Sequence, residues 1–316
     1  MRIVFFGTPE FAVPTLDRLF GSSHRVVGVV SQPDRPRGRG QQVTPSPVKR
    51  RADGHAPIFQ PTRLKDEEFL GAVRALEPDL GVVAAYGRIL PQVLLDLPRL
   101  GMINVHASLL PRWRGAAPVH RAVIAGDKET GVTIMRVVLA LDAGAMLRKV
   151  TSPIGSDETS ADVEPRLATL GASLLVDVVD ALATGPIPEE AQDESLVTYA
   201  ARLERRESQI DWTRSAAEIH NRIRGLQPWP LAAAILNGKR TALLRSEVAE
   251  GASFSDAAPG TVTAVQADAI VVVTGAGALR ITEVQVEGRP PMAMRAYLNG
   301  RRVNAGDRLA PLPEAP

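Results

Sequence analysis

The first half of the chain alternates short apolar runs with stretches of helical period. Residues 2–6 form a strand-like run, 11–19 a helical pattern after a Gly-Thr-Pro turn, and 26–31 a second strand. Further along, the spacing predicts a helix over 67–76 and strands over 80–85, 102–106 and 132–139. Strands that alternate with helices bury their apolar faces as a sheet with helices packed on both sides. The predicted class is therefore α/β, with a doubly wound, mostly parallel sheet. Residues 157–183 read as one long helix: Asp157 to Thr159 offer caps, and Leu167, Leu170, Leu174 and Val178 recur at helical spacing.

A Pro-rich, acidic stretch follows at 185–194 and reads as the start of a linker. After it come Ile210-Asp-Trp212 and a helix over 216–224, stopped by Gly225 and Pro228. The C-terminal third then changes period. Short β-like runs at 232–235, 241–248, 260–265, 269–274 and 279–286 are separated by Gly, Asn or Asp, which predicts a small antiparallel barrel. A length of 316 residues agrees with roughly two domains.

Composition narrows the classes. No uninterrupted apolar run is long enough to cross a membrane, and Met1 leads at once into a strand with no signal-peptide layout. A cytoplasmic location is expected. The absence of cysteine excludes disulfides, thiolate metal sites and a thiol nucleophile. Gly7 after the first strand lacks the G-x-G-x-x-G spacing, so no nicotinamide cofactor is predicted. The formal net charge is only +2, but its distribution is uneven. Residues 32–51 carry Arg35, Arg37, Arg39, Lys49, Arg50 and Arg51 against the single acid Asp34. Gly38 and Gly40, with Pro33, Pro36, Pro45 and Pro47, argue against helix or strand there. Such a loop is either a solvated run of like charges or a segment that orders on a phosphate backbone.

The candidate chemistry lies in Asn104-Val-His106 and in Leu141-Asp142-Ala-Gly144. Asn104 and His106 are two apart, so on a strand they share a face. Asp142 follows the next strand-like run and reaches His106 if the two strands are neighbours. An amide, an imidazole and a carboxylate suffice for acyl transfer to an amine. Asn104 and His106 would donate to the developing oxyanion, where one lost donor costs about 2.7–4 kcal/mol of barrier. Asp142 would fix the imidazole tautomer and accept the amine proton, directly or through a water. Spacing alone leaves the bland alternative open, a satisfied core histidine and a turn aspartate.

The run NVHASLLPRWRGAAPVHRAVIAGD, from Asn104 to Asp127, resembles the folate-dependent formyltransferase family, and within it the branch acting on initiator methionyl-tRNA. Phe6-Gly-Thr-Pro-Glu10, Gln32-Pro-Asp-Arg-Pro36, Ala85-Tyr-Gly-Arg-Ile-Leu-Pro91, Gly131-Val-Thr-Ile-Met135, Thr198-Tyr-Ala200 and Pro228-Trp-Pro230 extend the likeness along nearly the whole chain. The resemblance implies Asn104, His106 and Asp142 as catalytic residues. It implies a folate site along Ser108, Leu109, Leu110 and Pro111, flanked by Tyr86, Gly87, Ile89 and Leu90. It implies tRNA contacts at Arg35, Arg37, Arg39, Lys49, Arg202 and Arg205. The formyl donor would be 10-formyltetrahydrofolate, with no metal, and the partner initiator methionyl-tRNA, with no membrane, for a monomer.

The implied domains are a catalytic one over 1–185, a linker over 186–207 and an OB-like tRNA-binding one over 208–316. Two departures stand out: Val137 to Ala140 replace acidic residues common in the family, and Arg202, Arg205 and Arg206 stand where lysines are usual. Arginine keeps the charge but changes its geometry. Two other readings remain, a formyltransferase for a small amine and a non-catalytic RNA-binding protein of the same fold.

Overall fold

Seven strands build the sheet that the N-terminal alternation predicts. They are β1 (Arg2–Gly7), β2 (Arg25–Val30), β3 (Ile58–Phe59), β4 (Leu80–Ala84), β5 (Met102–His106), β6 (Glu129–Arg136) and β7 (Met146–Pro153), in the order β7-β6-β5-β4-β1-β2-β3. The computed structural model of the chain describes residues 1–37, 42–249 and 257–313. Pairing is parallel from β3 to β5 and antiparallel for β6 and β7. The chain divides into two compact units, one of 1–118, 129–153 and 164–200, the other of 119–128, 154–163 and 201–316.

Period-two alternation places the core on both faces of the first sheet. Val4, Phe6, Val30, Val83 and Met102 pack on one face with Phe69, Leu70 and Val73 of the helix Glu67–Ala75. That helix starts at Asp66, whose carboxylate accepts from the Glu68 N–H. The other face meets the long helix Ser160–Thr184, where Gly171 lies against Val105 and Val132. Judged by length and composition, this helix could cross a membrane, which corrects the sequence reading. Charged residues at 162, 164, 166, 177 and 180 interrupt the apolar run and hide it from a search for unbroken stretches. Leu167, Ala168, Ala172, Leu175, Val178 and Val179 are nonetheless buried inside the protein, as in a core helix.

Two local predictions are corrected. The strand expected over 132–139 ends at Arg136, and Val138, Leu139 and Leu141 are exposed in the turn that follows. Apolar composition mimics strand there, but the chain needs a turn to reach β7. The basic stretch also holds more structure than its prolines suggest. Arg35–Arg37 pairs antiparallel with Gln42–Thr44, and Pro47–Ala52 is a short helix. Proline is tolerated in an isolated two-stranded ribbon because part of its backbone faces no partner. Pro47 sits in the first helical turn, where its missing N–H costs nothing, and the Ser46 side chain caps the Lys49 N–H at 3.0 Å.

The second unit holds an antiparallel sheet. Its strands Ala233–Leu236, Lys239–Val248, Ala278–Val286, Ile270–Val273 and Val262–Val265 are neighbours in that order, with Met292–Ala293 beside Ala278–Val286. Residues 306–310 bond to both outer strands: Ile235 N–H to the Ala310 carbonyl at 2.8 Å, and Gly306 N–H to the Val262 carbonyl at 2.8 Å. One segment bonded to both edges curls the sheet into a half-barrel, consistent with the small barrel expected. The helix Ala216–Gly225 in this unit opens with a capping box between Ser215 and Glu218.

Two helical glycines test the packing. A Cβ at Gly171 would stand 2.8 Å from Val105 Cγ1, whereas one at Gly71 would meet nothing within 4 Å. Gly171→Ala is expected to lower the unfolding free energy by about 1–3 kcal/mol. Gly71→Ala should raise it by about 0.4–1 kcal/mol. Urea denaturation of the two variants checks both signs.

Candidate active site

Met102, Asn104 and His106 share one face of β5, while Val105 points to Gly171 on the other. His106 is buried and Asn104 half-buried, at the carboxyl end of a parallel strand, where open α/β sheets bind ligands. The antiparallel register sets Asn104 opposite Met135 and His106 opposite Thr133. After β6 the chain turns, pinned by Arg136 N–H on the Ala145 carbonyl at 2.8 Å. Asp142 occupies this turn in the left-handed region, with φ +48°. A Cβ at Gly144 would fall 1.9 Å from the Arg136 carbonyl oxygen, so only glycine closes the turn this tightly.

His106 and Asp142 meet, and Asn104 shares the His106 face of β5. His106 Nε2 lies 2.9 Å from the Trp113 carbonyl oxygen. A carbonyl can only accept, so Nε2 carries a proton. Nδ1 faces Asp142 Oδ2 at 3.7 Å. The same Oδ2 accepts the Gly115 N–H at 2.8 Å, and Oδ1 takes part in neither contact. Among the described residues, none donates to or accepts from the Asn104 side-chain amide. The arrangement thus offers a free amide donor, an imidazole whose Nδ1 is open to exchange, and a fixed carboxylate.

The loop that carries Trp113 and Gly115 is itself braced. Thr133 Oγ1 donates to the Ser108 carbonyl at 2.7 Å and accepts the Leu110 N–H at 3.1 Å. Ser108 Oγ donates to the Arg112 carbonyl at 2.7 Å. Arg114–Gly115 then pairs in parallel with Tyr199–Ala200. The Arg114 N–H bonds the Thr198 carbonyl, and the Trp113 N–H bonds Thr198 Oγ1, both at 2.9 Å. Sequence reasoning does not single out Thr133, Arg114 or Thr198. Arg114 stands within the motif, but nothing local announces that its side chain is only 4% exposed.

The expected folate residues divide by exposure. Ile89 is 74% exposed, and Gly87 beside it turns the chain with φ +78°. Leu109 and Pro111 are half-buried. Tyr86, Leu90 and Leu110 are core residues, and the Ser108 hydroxyl is spent on its own loop. The Tyr86 ring packs edge-on to Phe6, and burial pushes its phenol up from the ordinary value. Only its backbone is available to a ligand, and the carbonyl already accepts from Gln32 Nε2 at 2.7 Å.

The expected tRNA contacts divide too. Arg35, Arg202 and Arg205 are exposed. Arg37 lies in the short ribbon, and Arg39 lies outside the described residues. Lys49 is half-buried, with Nζ 2.5 Å from Asp34 Oδ2 and 2.8 Å from Gln60 Oε1. It anchors the basic segment and is not a free cation. Among the described residues no cluster of His, Asp or Glu gathers to hold a metal.

Comparison with known proteins places this geometry. The formyl transferase family matches residues 1–179, and the formyl transferase C-terminal domain matches residues 202–302. The chain belongs to the formyl transferase family. Within the family it is 49% identical over 310 residues to a methionyl-tRNA formyltransferase of Methylococcus capsulatus, covering 98% of this chain and 99% of that one. The corresponding protein of Pseudomonas syringae pv. tomato is 48% identical over 303 residues, covering 96% and 95%. An N-formyltransferase from Helicobacter canadensis, solved with folinic acid and dTDP-3-aminofucose, shares the fold at a TM-score of 0.67 and 16% identity, over 88% of this chain and 98% of its own.

The Asp34 anchor is testable through pH. Its hydrogen bonds from Lys49 and then Gln60 hold its carboxyl below the usual value. A carboxyl depressed in the folded state stabilises above its unfolded pKa of about 3.9, and that contribution is lost as pH falls through the folded value. Lys49→Met is expected to raise the pH midpoint at which the Asp34 carboxyl titrates, as followed by NMR. The same variant should show a smaller loss of Tm on going from neutral pH to about pH 3.

Proposed function

We propose that this chain transfers the formyl group of 10-formyltetrahydrofolate to the methionine amine of initiator methionyl-tRNA. The observation that carries the reading is near-complete coverage of methionyl-tRNA formyltransferases at about half identity, with Asp142 set against His106 on the strand that carries Asn104. The folate supplies an activated formyl group at one nitrogen. The exposed Ile89 and the backbone of the turn at Gly87 suit a flat heterocycle with amide-like edges.

The roles follow from which atoms are already committed. With the Nε2 proton held on Trp113, His106 meets the reacting centre through Nδ1. The Asn104 amide and a protonated Nδ1 donate to the oxyanion that develops as the amine adds to the formyl carbon. Asp142, its Oδ2 held by Gly115, sits beside Nδ1 and orients the imidazole toward the reacting centre. Oδ1 accepts the proton that the attacking amine must lose. The departing nitrogen regains one proton, so the carboxylate ends the cycle unchanged. No covalent enzyme intermediate is required.

Exposed arginines supply the RNA side of the reading. Arg35 in the basic segment and Arg202 and Arg205 in the second unit are the candidates. With this reading go a cytoplasmic location, where charged tRNA is found, and a monomeric enzyme.

Labelled formyl transfer from 10-formyltetrahydrofolate tests the proposal, with methionyl initiator tRNA, uncharged tRNA and free methionine as acceptors. Transfer to the charged tRNA alone is expected; transfer to a small amine in preference would overturn it. His106→Ala and Asp142→Asn should each lower turnover by about 10²–10⁴-fold with RNA affinity nearly unchanged. Arg202→Ala combined with Arg205→Ala should weaken RNA binding and lower the salt slope by roughly 0.7–0.9 for each phosphate no longer neutralised. A slope equal to that of the parent protein would refute phosphate binding at these positions.

A further inference from the structure

We infer that Gln192 is the positioning residue that sets the Asp142 carboxylate against His106. The inference rests on the proposed role of Asp142 in the transfer. Gln192 lies in the acidic stretch after the long helix, fifty residues from Asp142 in sequence. Its Nε2 donates to the Asp142 carbonyl at 2.7 Å and to the Gly144 carbonyl at 2.8 Å, bridging the turn. Its Oε1 accepts from Arg114 Nε at 2.9 Å.

These bonds close a circuit around the carboxylate. Arg114 precedes Gly115 in the chain, and the Gly115 N–H holds Asp142 Oδ2. The main chain of Asp142 is therefore held by Gln192, and its side chain by the residue next to the one Gln192 grips. The outer side of the buried Arg114 guanidinium is matched by Glu194, at 2.8 and 3.3 Å. Glu190 exchanges two backbone hydrogen bonds with Met146, both 2.8 Å, which lays Gln192 along the exit of the turn.

The turn needs such a brace. Asp142 stands in the left-handed region, which an L-residue holds less readily than the right-handed one, so its backbone is free to relax once its carbonyl is released. At this position the side chain must donate to two carbonyls and accept from a guanidinium. A primary amide of this length does all three. A carboxylate keeps only the acceptor and repels both carbonyl oxygens.

The test is a mutant cycle on the full chain, read as single-turnover formyl transfer with Asp142→Asn as the partner substitution. Gln192→Leu is expected to lower the rate by about 10–100-fold, with folate and tRNA dissociation constants within about twofold of the parent. In the Asp142→Asn background the same change should cost less than about twofold, because it acts through that carboxylate. Gln192→Glu should behave like Gln192→Leu in both backgrounds, and it keeps the measurement usable if the leucine variant folds poorly. A full multiplicative loss in the double variant would overturn the inference. So would a parental rate for Gln192→Leu, or loss of folding in both Gln192 variants. A parental rate for Asp142→Asn alone would instead refute the catalytic reading of Asp142, and the positioning role would fall with it.

Discussion

Because β6 runs back along β5, Arg136 stands opposite Ile103 and the chain leaves the return strand beside the start of β5. The turn that begins there folds back toward the carboxyl end of β5, where Asp142 meets His106. The register of β6 against β5 is the constraint on which the site depends. It also fixes Thr133 opposite His106, where its hydroxyl braces the Ser108–Leu110 backbone. One strand pairing therefore positions the imidazole, the carboxylate turn and the loop that supplies the Trp113 carbonyl and the Gly115 amide.

The histidine has been given one job by its surroundings. A buried imidazole with both nitrogens free could adopt either tautomer, and its donor would point in either direction. The Trp113 carbonyl removes that freedom by holding the Nε2 proton. Nδ1 is left facing a carboxylate that a backbone amide holds in place. Donors fixed before substrate arrives need no reorganisation during reaction, which is where such groups gain most of their effect.

The strongly periodic parts of this structure are legible in the sequence. The helix over 67–76 is Glu67–Ala75, that over 216–224 is Ala216–Gly225, and the strand over 102–106 is Met102–His106. Apolar period, caps and stops all agree at these places. β7 escapes notice because its outward residues, among them Arg148 and Lys149, are polar as befits an edge strand. Lys49 reads as a phosphate contact from its neighbours in a basic run, but its partners Asp34 and Gln60 approach only once β2 and β3 pair. Gln192 carries no signal at all, since a glutamine in an acidic stretch looks like solvated linker. Asn104, His106 and Asp142 stand out because their chemistry is scarce and their spacing local. Their supports do not, because a threonine, an arginine and a glutamine acquire meaning only from what they touch.

The same distinction explains why the turn tolerates its unusual residues. Val137 to Ala140 depart from the acidic pattern of the family, and Val138 and Leu139 lie exposed. If the carboxylate were positioned by charged neighbours, this substitution would undermine it. The hydrogen bonds that fix the turn are instead main-chain or remote: Arg136 N–H to Ala145, Val137 N–H to Met102, Gly115 N–H to Oδ2, and the Gln192 amide. None depends on the side chains from 137 to 140. The tip of the turn is free to vary in polarity while its ends and its aspartate stay in register, so the departure alters the surface beside the site and leaves the arrangement of the triad intact.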